Sequence, residues 1–166
     1  MGTLRNPNIE LFIGDPHAGQ HFSPIPLLRG GMNIPVMVSA SSSYLRMPNA
    51  VQGARMTVLA HLDTGASVTS IDIKLARQIG LLPVGMSRMR TAAGSIRVST
   101  FTIDLQFPSS TLSACADLPV SSCDLGFDLS KPWTDARNFG ILIGRDAMAH
   151  WNIVWNGPTS TVIIND

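Results

Sequence analysis

Short apolar segments separated by polar turns run along most of this chain, and this pattern predicts a protein built mainly of β-strands. The clearest example lies within residues 96–107, where Phe101, Ile103 and Leu105 alternate with polar residues, as expected of a half-exposed hairpin strand. The other predicted strands cover residues 9–13, 34–38, 55–62, 86–91, 112–120, 139–143, 153–155 and 161–164. Strands this short and this numerous favour a closed, barrel-like domain.

Helical spacing is confined to two short segments. Ile71, Leu75 and Ile79 share one face of a helix predicted over residues 70–79. A second helix, of one or two turns, is predicted over residues 145–151. The predicted fold class is therefore mostly β, a closed barrel with one or two short helices.

The first 30 residues differ in composition from the rest of the chain. Residues 1–30 are rich in Pro, Gly and Asn, which predicts an extended arm or pro-segment with one short strand. Residues 31–166 carry the remaining strand and helix pattern and are predicted to form the folded domain. A chain of 166 residues is long enough to bury a core without disulfides or metals.

Charge is sparse: charged residues make up 14% of the chain, apolar residues 45%, and the net charge is +1. The sequence contains no run of Lys and Arg, so neither nucleic acid nor an anionic membrane is a predicted partner. The low charge predicts that another subunit covers some apolar surface. Without a signal peptide or a stretch of ~20 apolar residues, the chain is predicted to be soluble and cytoplasmic, and a fragment of a larger precursor would look the same.

Cysteine and histidine give little indication of a metal or a redox centre. Cys115 and Cys123 lie close enough in sequence to form a disulfide, but two free thiols are an equally good interpretation. His17 and His21 have a spacing that suits a metal only on a helix, and neighbouring Pro and Gly residues argue against one there. We therefore expect no metal and no cofactor.

The run Asp63–Ser67, Asp-Thr-Gly-Ala-Ser, is the part of the sequence that carries chemistry. An apolar strand leads directly into it, and Gly65 permits a tight turn behind the carboxylate. A carboxyl group of this kind serves amide hydrolysis as one of a close pair, in which one member keeps a proton. The chain has no second Asp-Thr-Gly or Asp-Ser-Gly, so it supplies half of such a pair.

A second motif lies about 75 residues further on, where the apolar segment Ile141–Ile143 runs into Gly144 and Arg145. With Asp63–Ser67 before it and a predicted hairpin between, this order resembles the retropepsins, the viral-type aspartic peptidases, and their bacterial relatives. The resemblance covers residues 58–164. It implies an acid-protease β-barrel and an aspartic endopeptidase that needs no cofactor.

The resemblance also implies roles for individual residues. The catalytic group would consist of Asp63, Thr64 and Gly65. Substrate would contact Ala66 and Ser67 on the cleft floor and the tip of a flap, formed by Ala92, Ala93, Gly94 and Ser95.

Ile143 and Gly144 would support the active-site turn, and Arg145 would form a structural ion pair. The usual acidic partner is replaced by Ser67, which puts the role of Arg145 in question. Val68, Ile96 and Ile143 would line apolar pockets.

The resemblance further implies a homodimer that binds a peptide or protein substrate, with one Asp63 from each subunit. Thr64 would join the two turns, and the strand Thr161–Ile164 would interleave at the interface. The alternative is a catalytically inactive retropepsin-like domain that dimerises or binds peptides. His61 points to the same side of its strand as Asp63, and it is either a titrating neighbour of that residue or a partly solvated strand residue.

Overall fold

The computed structural model describes residues 31–46, 53–91, 94–108, 110, 112–135, 137–156 and 161–166, together with the backbone of residues 9–12. His17 and His21 lie outside these ranges. The strands are β1 (Ile9–Phe12), β2 (Asn33–Ala40), β3 (Met56–Leu62), β4 (Ser70–Asp72), β5 (Gly85–Thr91), β6 (Gly94–Gln106), β7 (Cys115–Cys123), β8 (Phe139–Ile143), β9 (Asn152–Asn156) and β10 (Thr161–Asn165). The helices are α1 (Ser42–Leu45), α2 (Ile73–Gln78) and α3 (Arg145–Met148).

Six strands close into a barrel in the order β2, β3, β8, β4, β7 and β6, because β2 pairs with both β3 and β6. Strand β5 extends beyond the barrel as the antiparallel partner of the first half of β6. The predicted mostly-β fold with a closed barrel is therefore confirmed.

The barrel core is built from strands whose residues alternate between inside and outside. Along β2, Ile34, Val36 and Val38 are fully buried, while the residues between them are partly exposed. Pro35 fits this strand because the pairing with β6 begins only at Met37, so no neighbour on that side needs the missing N–H. The burial of these side chains removes apolar surface from water and holds the barrel together.

A separate three-stranded sheet has the order β1, β10, β9, so β10 lies in the middle. Its backbone pairs with β1 on one side and with β9 on the other. Both edges of Thr161–Ile164 are paired within this single chain, and its interleaving with a second chain stays a prediction. The open edges of the sheet belong to β1 and β9.

The helix predicted over residues 70–79 is shorter than expected. Ser70–Asp72 is a strand, and the helix begins at Ile73. Asp72 is buried and caps the helix, since its Oδ1 accepts a hydrogen bond from the Lys74 N–H at 2.8 Å. The other oxygen of Asp72 accepts an N–H bond from Leu125 at 2.8 Å. No helix in the ranges described above is long and apolar enough to span a membrane.

The two cysteines occupy opposite ends of β7. Eight steps along a strand separate Cys115 from Cys123 by roughly 26 Å, far beyond the reach of a disulfide. Both are free thiols. Burial raises the pKa of Cys115, and burial together with nearby carboxylates raises the pKa of Cys123 to about 11. The disulfide that the sequence left open is therefore excluded within one chain.

Candidate active site

Asp63 stands at the point where β3 ends and the chain turns. Strand β3 runs parallel to β8, and the backbone N–H of Asp63 donates to the carbonyl oxygen of Ile143 at 3.0 Å. On the other side, Leu62 N–H donates to the carbonyl of Met32 at 2.8 Å. Two neighbouring segments thus fix the backbone immediately before the carboxylate, while the Asp63 side chain remains partly exposed.

The turn after Asp63 is closed by its own hydrogen bonds. The Gly65 N–H donates to Asp63 Oδ1 at 2.8 Å, and the Ala66 N–H donates to the Asp63 carbonyl at 3.1 Å. A Cβ atom on Gly65 would lie 3.0 Å from Asp63 Oδ1, so a larger residue would crowd the carboxylate. Thr64 and Ser67 are exposed and Ala66 is partly exposed. The turn therefore presents one oriented carboxylate to solvent.

Arg145 braces this turn from α3. Its backbone N–H donates to the Ala66 carbonyl at 3.0 Å, and its Nη1 donates to the Thr64 carbonyl at 2.8 Å. A longer contact of 3.4 Å reaches the carbonyl of Gly65. The resemblance implied an ion pair for Arg145, whereas the observed contacts are with backbone carbonyls of the turn. A planar guanidinium suits this task because it offers several donors in a fixed geometry.

Behind the turn lies a pair that the sequence did not predict, Thr69 and Asp146. Thr69 is fully buried, and its Oγ1 donates to Asp146 Oδ1 at 2.7 Å while accepting the Gly144 N–H at 3.1 Å. The Thr69 N–H donates to Asp146 Oδ2 at 2.9 Å. An acidic residue at the start of a helix is a readable signal for Asp146. Nothing in the local pattern indicates Thr69.

Gly144 and Ile143 lie directly behind the Asp63 turn. A Cβ atom on Gly144 would lie 2.5 Å from the backbone carbon of Val68 and 2.9 Å from the Thr69 nitrogen, so only glycine fits between β8 and the turn. Ile143 is fully buried, which excludes it from a substrate pocket. Val68 and Ile96, by contrast, are both exposed.

His61 lies two residues before Asp63 and is half-buried. Its ring stacks on Phe139 with 4.9 Å between centroids, and its Nδ1 is 2.9 Å from Asn33 Oδ1. Burial lowers the pKa of His61, and the Asp63 carboxylate opposes that shift only in part. Of the two interpretations of His61, the structure favours a half-buried strand residue.

The hairpin of β5 and β6 forms a second, separate group of predicted site residues. Thr91 Oγ1 donates to the carbonyl of Gly94 at 3.0 Å, and Gly94 has a φ of 126°, which favours glycine. Gly94 and Ser95 are exposed, and no described residue of the hairpin tip makes a hydrogen bond to the Asp63 turn. Ala92 and Ala93 lie outside the described residues.

Each chain thus offers one carboxylate at an exposed turn, supported by Ile143, Gly144 and Arg145. Among the described residues, no three His, Cys, Asp or Glu side chains lie close enough together to hold a metal ion. A lone carboxylate is a weak catalyst for amide hydrolysis, so the arrangement can act in that reaction when a second carboxyl group is brought opposite to it.

Residues 47–147 match the model of a family described as aspartyl protease. The chain belongs to the aspartyl protease family. The match includes both Asp63–Ser67 and Gly144, and it confirms the family that these two motifs predicted. No curated protein sequence compared with this aspartyl protease family member matches it significantly.

The solved structures that are similar to this family member include the following two. One is a retropepsin-like aspartic protease from Rickettsia conorii, with 12% identity, a TM-score of 0.42, and coverage of 80% of this chain and 90% of that chain. The other is a foamy viral protease-reverse transcriptase in complex with an RNA/DNA hybrid, with 12% identity and a TM-score of 0.40. That match covers 72% of this chain and 12% of the viral chain.

Proposed function

We propose that this protein is an aspartic endopeptidase that works as a homodimer, with one Asp63 from each subunit. The observation that carries the proposal is the Asp63 turn itself, whose carboxylate is oriented by Gly65 and whose backbone is braced by Arg145. Membership of the aspartyl protease family supports the same conclusion. The peptide would lie between the two turns and the two β5–β6 hairpins.

The chemistry follows from placing two carboxyl groups about 3 Å apart, where they cannot both be ionised. One Asp63 keeps a proton and the other remains anionic, and the two titrate together as a pair. The anionic member takes a proton from a water molecule as that water attacks the scissile carbonyl. The protonated member donates a hydrogen bond to the carbonyl oxygen, so the tetrahedral intermediate forms without a covalent bond to the enzyme.

The exposed side chain of Thr64 supports the dimeric arrangement. Thr64 directly follows Asp63 in the turn and is exposed, so a second turn could approach it. Two such turns related by a twofold axis would place each Thr64 against the other chain's turn. Dimerisation would then complete the active site, and activity would depend on protein concentration.

The open edge of β9 is the surface that we propose for this contact. Val154 and Trp155 on that strand are 46% and 52% exposed, a large fraction for apolar side chains at a strand edge. An unpaired apolar edge is a natural template for pairing with another chain. The interface would therefore use β9, which flanks the central strand β10.

The β5–β6 hairpin is proposed to act as the flap. Gly94 has open space around its α-carbon, since nothing lies within 4 Å of a Cβ built there. A tip of small residues can approach a bound peptide closely and move away again. Ile96 on the hairpin and Val68 near the turn are exposed apolar residues that would contact apolar side chains of the substrate.

The test compares the wild-type protein with Asp63→Asn on a mixed peptide library at several pH values. Asp124 provides a matched control, because its Oδ1 accepts the Gly126 N–H at 3.0 Å in the same Asp-x-Gly geometry. We expect Asp63→Asn to lower cleavage by roughly 100-fold or more and Asp124→Asn to leave it unchanged. Equal cleavage by wild type and Asp63→Asn would reject the assignment. Absence of cleavage by a verified wild-type dimer would instead favour an inactive peptide-binding domain.

A further inference from the structure

Three arginines converge on one face of the β5–β6 hairpin. The strand register places Arg88 directly opposite Arg97, and Arg90 follows two residues after Arg88 on the same face. All three side chains are exposed. The three residues are separated along the sequence, and the hairpin register brings them together.

This arrangement is unfavourable for the isolated hairpin. Like charges directly across an antiparallel pair destabilise it, and the third positive charge adds to the repulsion. Residues 85–100 contain no acidic residue, and none of the three arginines forms an ion pair with another described residue. The repulsion would be relieved by an anionic partner from outside the chain.

The charge is confined to one side of the hairpin. The opposite face carries Ser87, Met89, Ile96 and Val98, of which Val98 is buried and Ser87 lies 3.4 Å from the Ser121 hydroxyl. The hairpin therefore has one face that is largely apolar and one face with three guanidinium groups. We call the latter, consisting of Arg88, Arg90 and Arg97, the arginine face.

We propose that the arginine face, which lies on the side of the hairpin opposite Ile96, binds an extended acidic segment of the substrate beyond the stretch held in the cleft, with carboxylates at alternate positions. This inference rests on the proposed function, because it names the substrate class of the same protease. Arg88 and Arg90 are about 6.7 Å apart along the strand, the same repeat as side chains on one face of any extended peptide. Each guanidinium can hold a carboxylate through two parallel hydrogen bonds.

An acidic peptide fits this face better than a nucleic acid does. The face carries no aromatic side chain on which a base would stack, and stacking is a main source of affinity for single strands. The net charge of the whole chain is only +1, far from the strongly basic surface typical of nucleic-acid binding. The exposed arginines therefore provide local complementarity to a few carboxylates.

The test measures binding in the Asp63→Asn background, where the peptide is not consumed. The probe is a fluorescent extended peptide with Glu at three alternate positions, compared with the same peptide carrying Gln there. The arginine-face variant carries three substitutions together: Arg88→Gln, Arg90→Gln and Arg97→Gln. The control is Arg55→Gln, Arg77→Gln, Arg137→Gln, which removes the same charge from three exposed arginines elsewhere.

We expect the arginine-face variant to bind the Glu peptide at least about tenfold more weakly, and the control variant to bind as before. The Gln peptide should bind weakly to all proteins, and raising the salt should reduce the difference. The melting temperature of the arginine-face variant should not fall, since the substitution removes repulsion. Unchanged affinity in that variant, or an equal loss in the control, would overturn the proposal. If oligo-dT displaces the fluorescent Glu peptide at a lower concentration than the unlabelled Glu peptide does, the face binds nucleic acid and the proposal is rejected.

The same proteins separate this inference from the proposed function. If the wild-type dimer cleaves Glu and Gln peptides with equal kcat/KM, the protease assignment stands and the acidic preference is rejected. If no peptide is cleaved while the Glu peptide still binds through the arginine face, the protease assignment is rejected and the acidic interface stands.

Discussion

His61 is the residue whose environment has the plainest consequence for solution behaviour. Its ring is packed on Phe139 and bonded to Asn33, so burial disfavours the protonated form. The Asp63 carboxylate two residues away favours protonation, but it is the smaller influence. The folded protein therefore binds a proton at His61 less readily than the unfolded chain does.

This lowered pKa predicts a loss of stability in mild acid. An unfolded His titrates near pH 6.5, so the unfolded state takes up a proton first as the pH falls through about 6.5 toward the lower folded pKa. The melting temperature of the wild type should therefore drop as the pH falls below about 6.5. In His61→Gln the drop in melting temperature should be shallower than in the wild type. Equal slopes for wild type and His61→Gln would contradict this account.

Among the elements, the junction of β8 and α3 fixes the position of the Asp63 turn. Gly144 packs against the backbone of Val68 and Thr69, whereas Gly65 packs against the side chain of Asp63 alone. The two glycines therefore have different roles. Gly144 permits close approach of two backbone segments, and Gly65 leaves room for the Asp63 carboxylate.

Alanine at these two glycines should separate stability from activity. Gly144→Ala forces backbones apart and should lower the free energy of unfolding by about 1–3 kcal/mol, with loss of cleavage. Gly65→Ala displaces only the Asp63 carboxylate, so it should lower kcat with little change in melting temperature. Thermal unfolding and peptide cleavage of both variants provide the measurement. A Gly144→Ala protein as stable as wild type would refute the close packing at this junction.

The bounds of some strands and helices can be predicted from the sequence alone, and the bounds of others cannot. Strands β3 and β8 were predicted within a residue of their observed bounds, because each is an apolar run that ends at a turn. The start of α2 was missed, since the apolar spacing around Ile71 suits a helix and a strand alike. The strand ends and the helix begins at Asp72, whose side chain accepts hydrogen bonds from backbone N–H groups more than 50 positions away. Thr69 was missed for the same reason, as its partner Asp146 lies 77 positions further on.

At the scale of the whole molecule, the proposed dimer depends on the edge strand β9. Val154→Asp would place a charge on the exposed edge of each subunit, and the two charges would repel across a twofold interface. We expect the dimer to weaken by at least about tenfold and cleavage to recover at higher protein concentration. Sedimentation velocity and cleavage rates over a concentration series measure both.

Val84 is a suitable control for this experiment, because it is 41% exposed and lies outside the three-stranded sheet. Val84→Asp should leave the dimer unchanged. The interface would have to be sought elsewhere if Val154→Asp remained dimeric at the lowest concentrations, or if both substitutions weakened the dimer equally.

The pairing of β1 with β10 has a consequence for the order in which this protein folds during its synthesis. Ile9 faces Ile164 across that ladder, so nearly the whole chain lies in the loop that the pairing closes. Contacts between residues so distant in sequence carry a large loop-closure entropy and tend to form late in folding. During synthesis on the ribosome, all six barrel strands are complete once residue 143 has been added. The three-stranded sheet cannot form until residues 161–165 have also been added. A protease whose subunits meet through that sheet would stay inactive during its own synthesis.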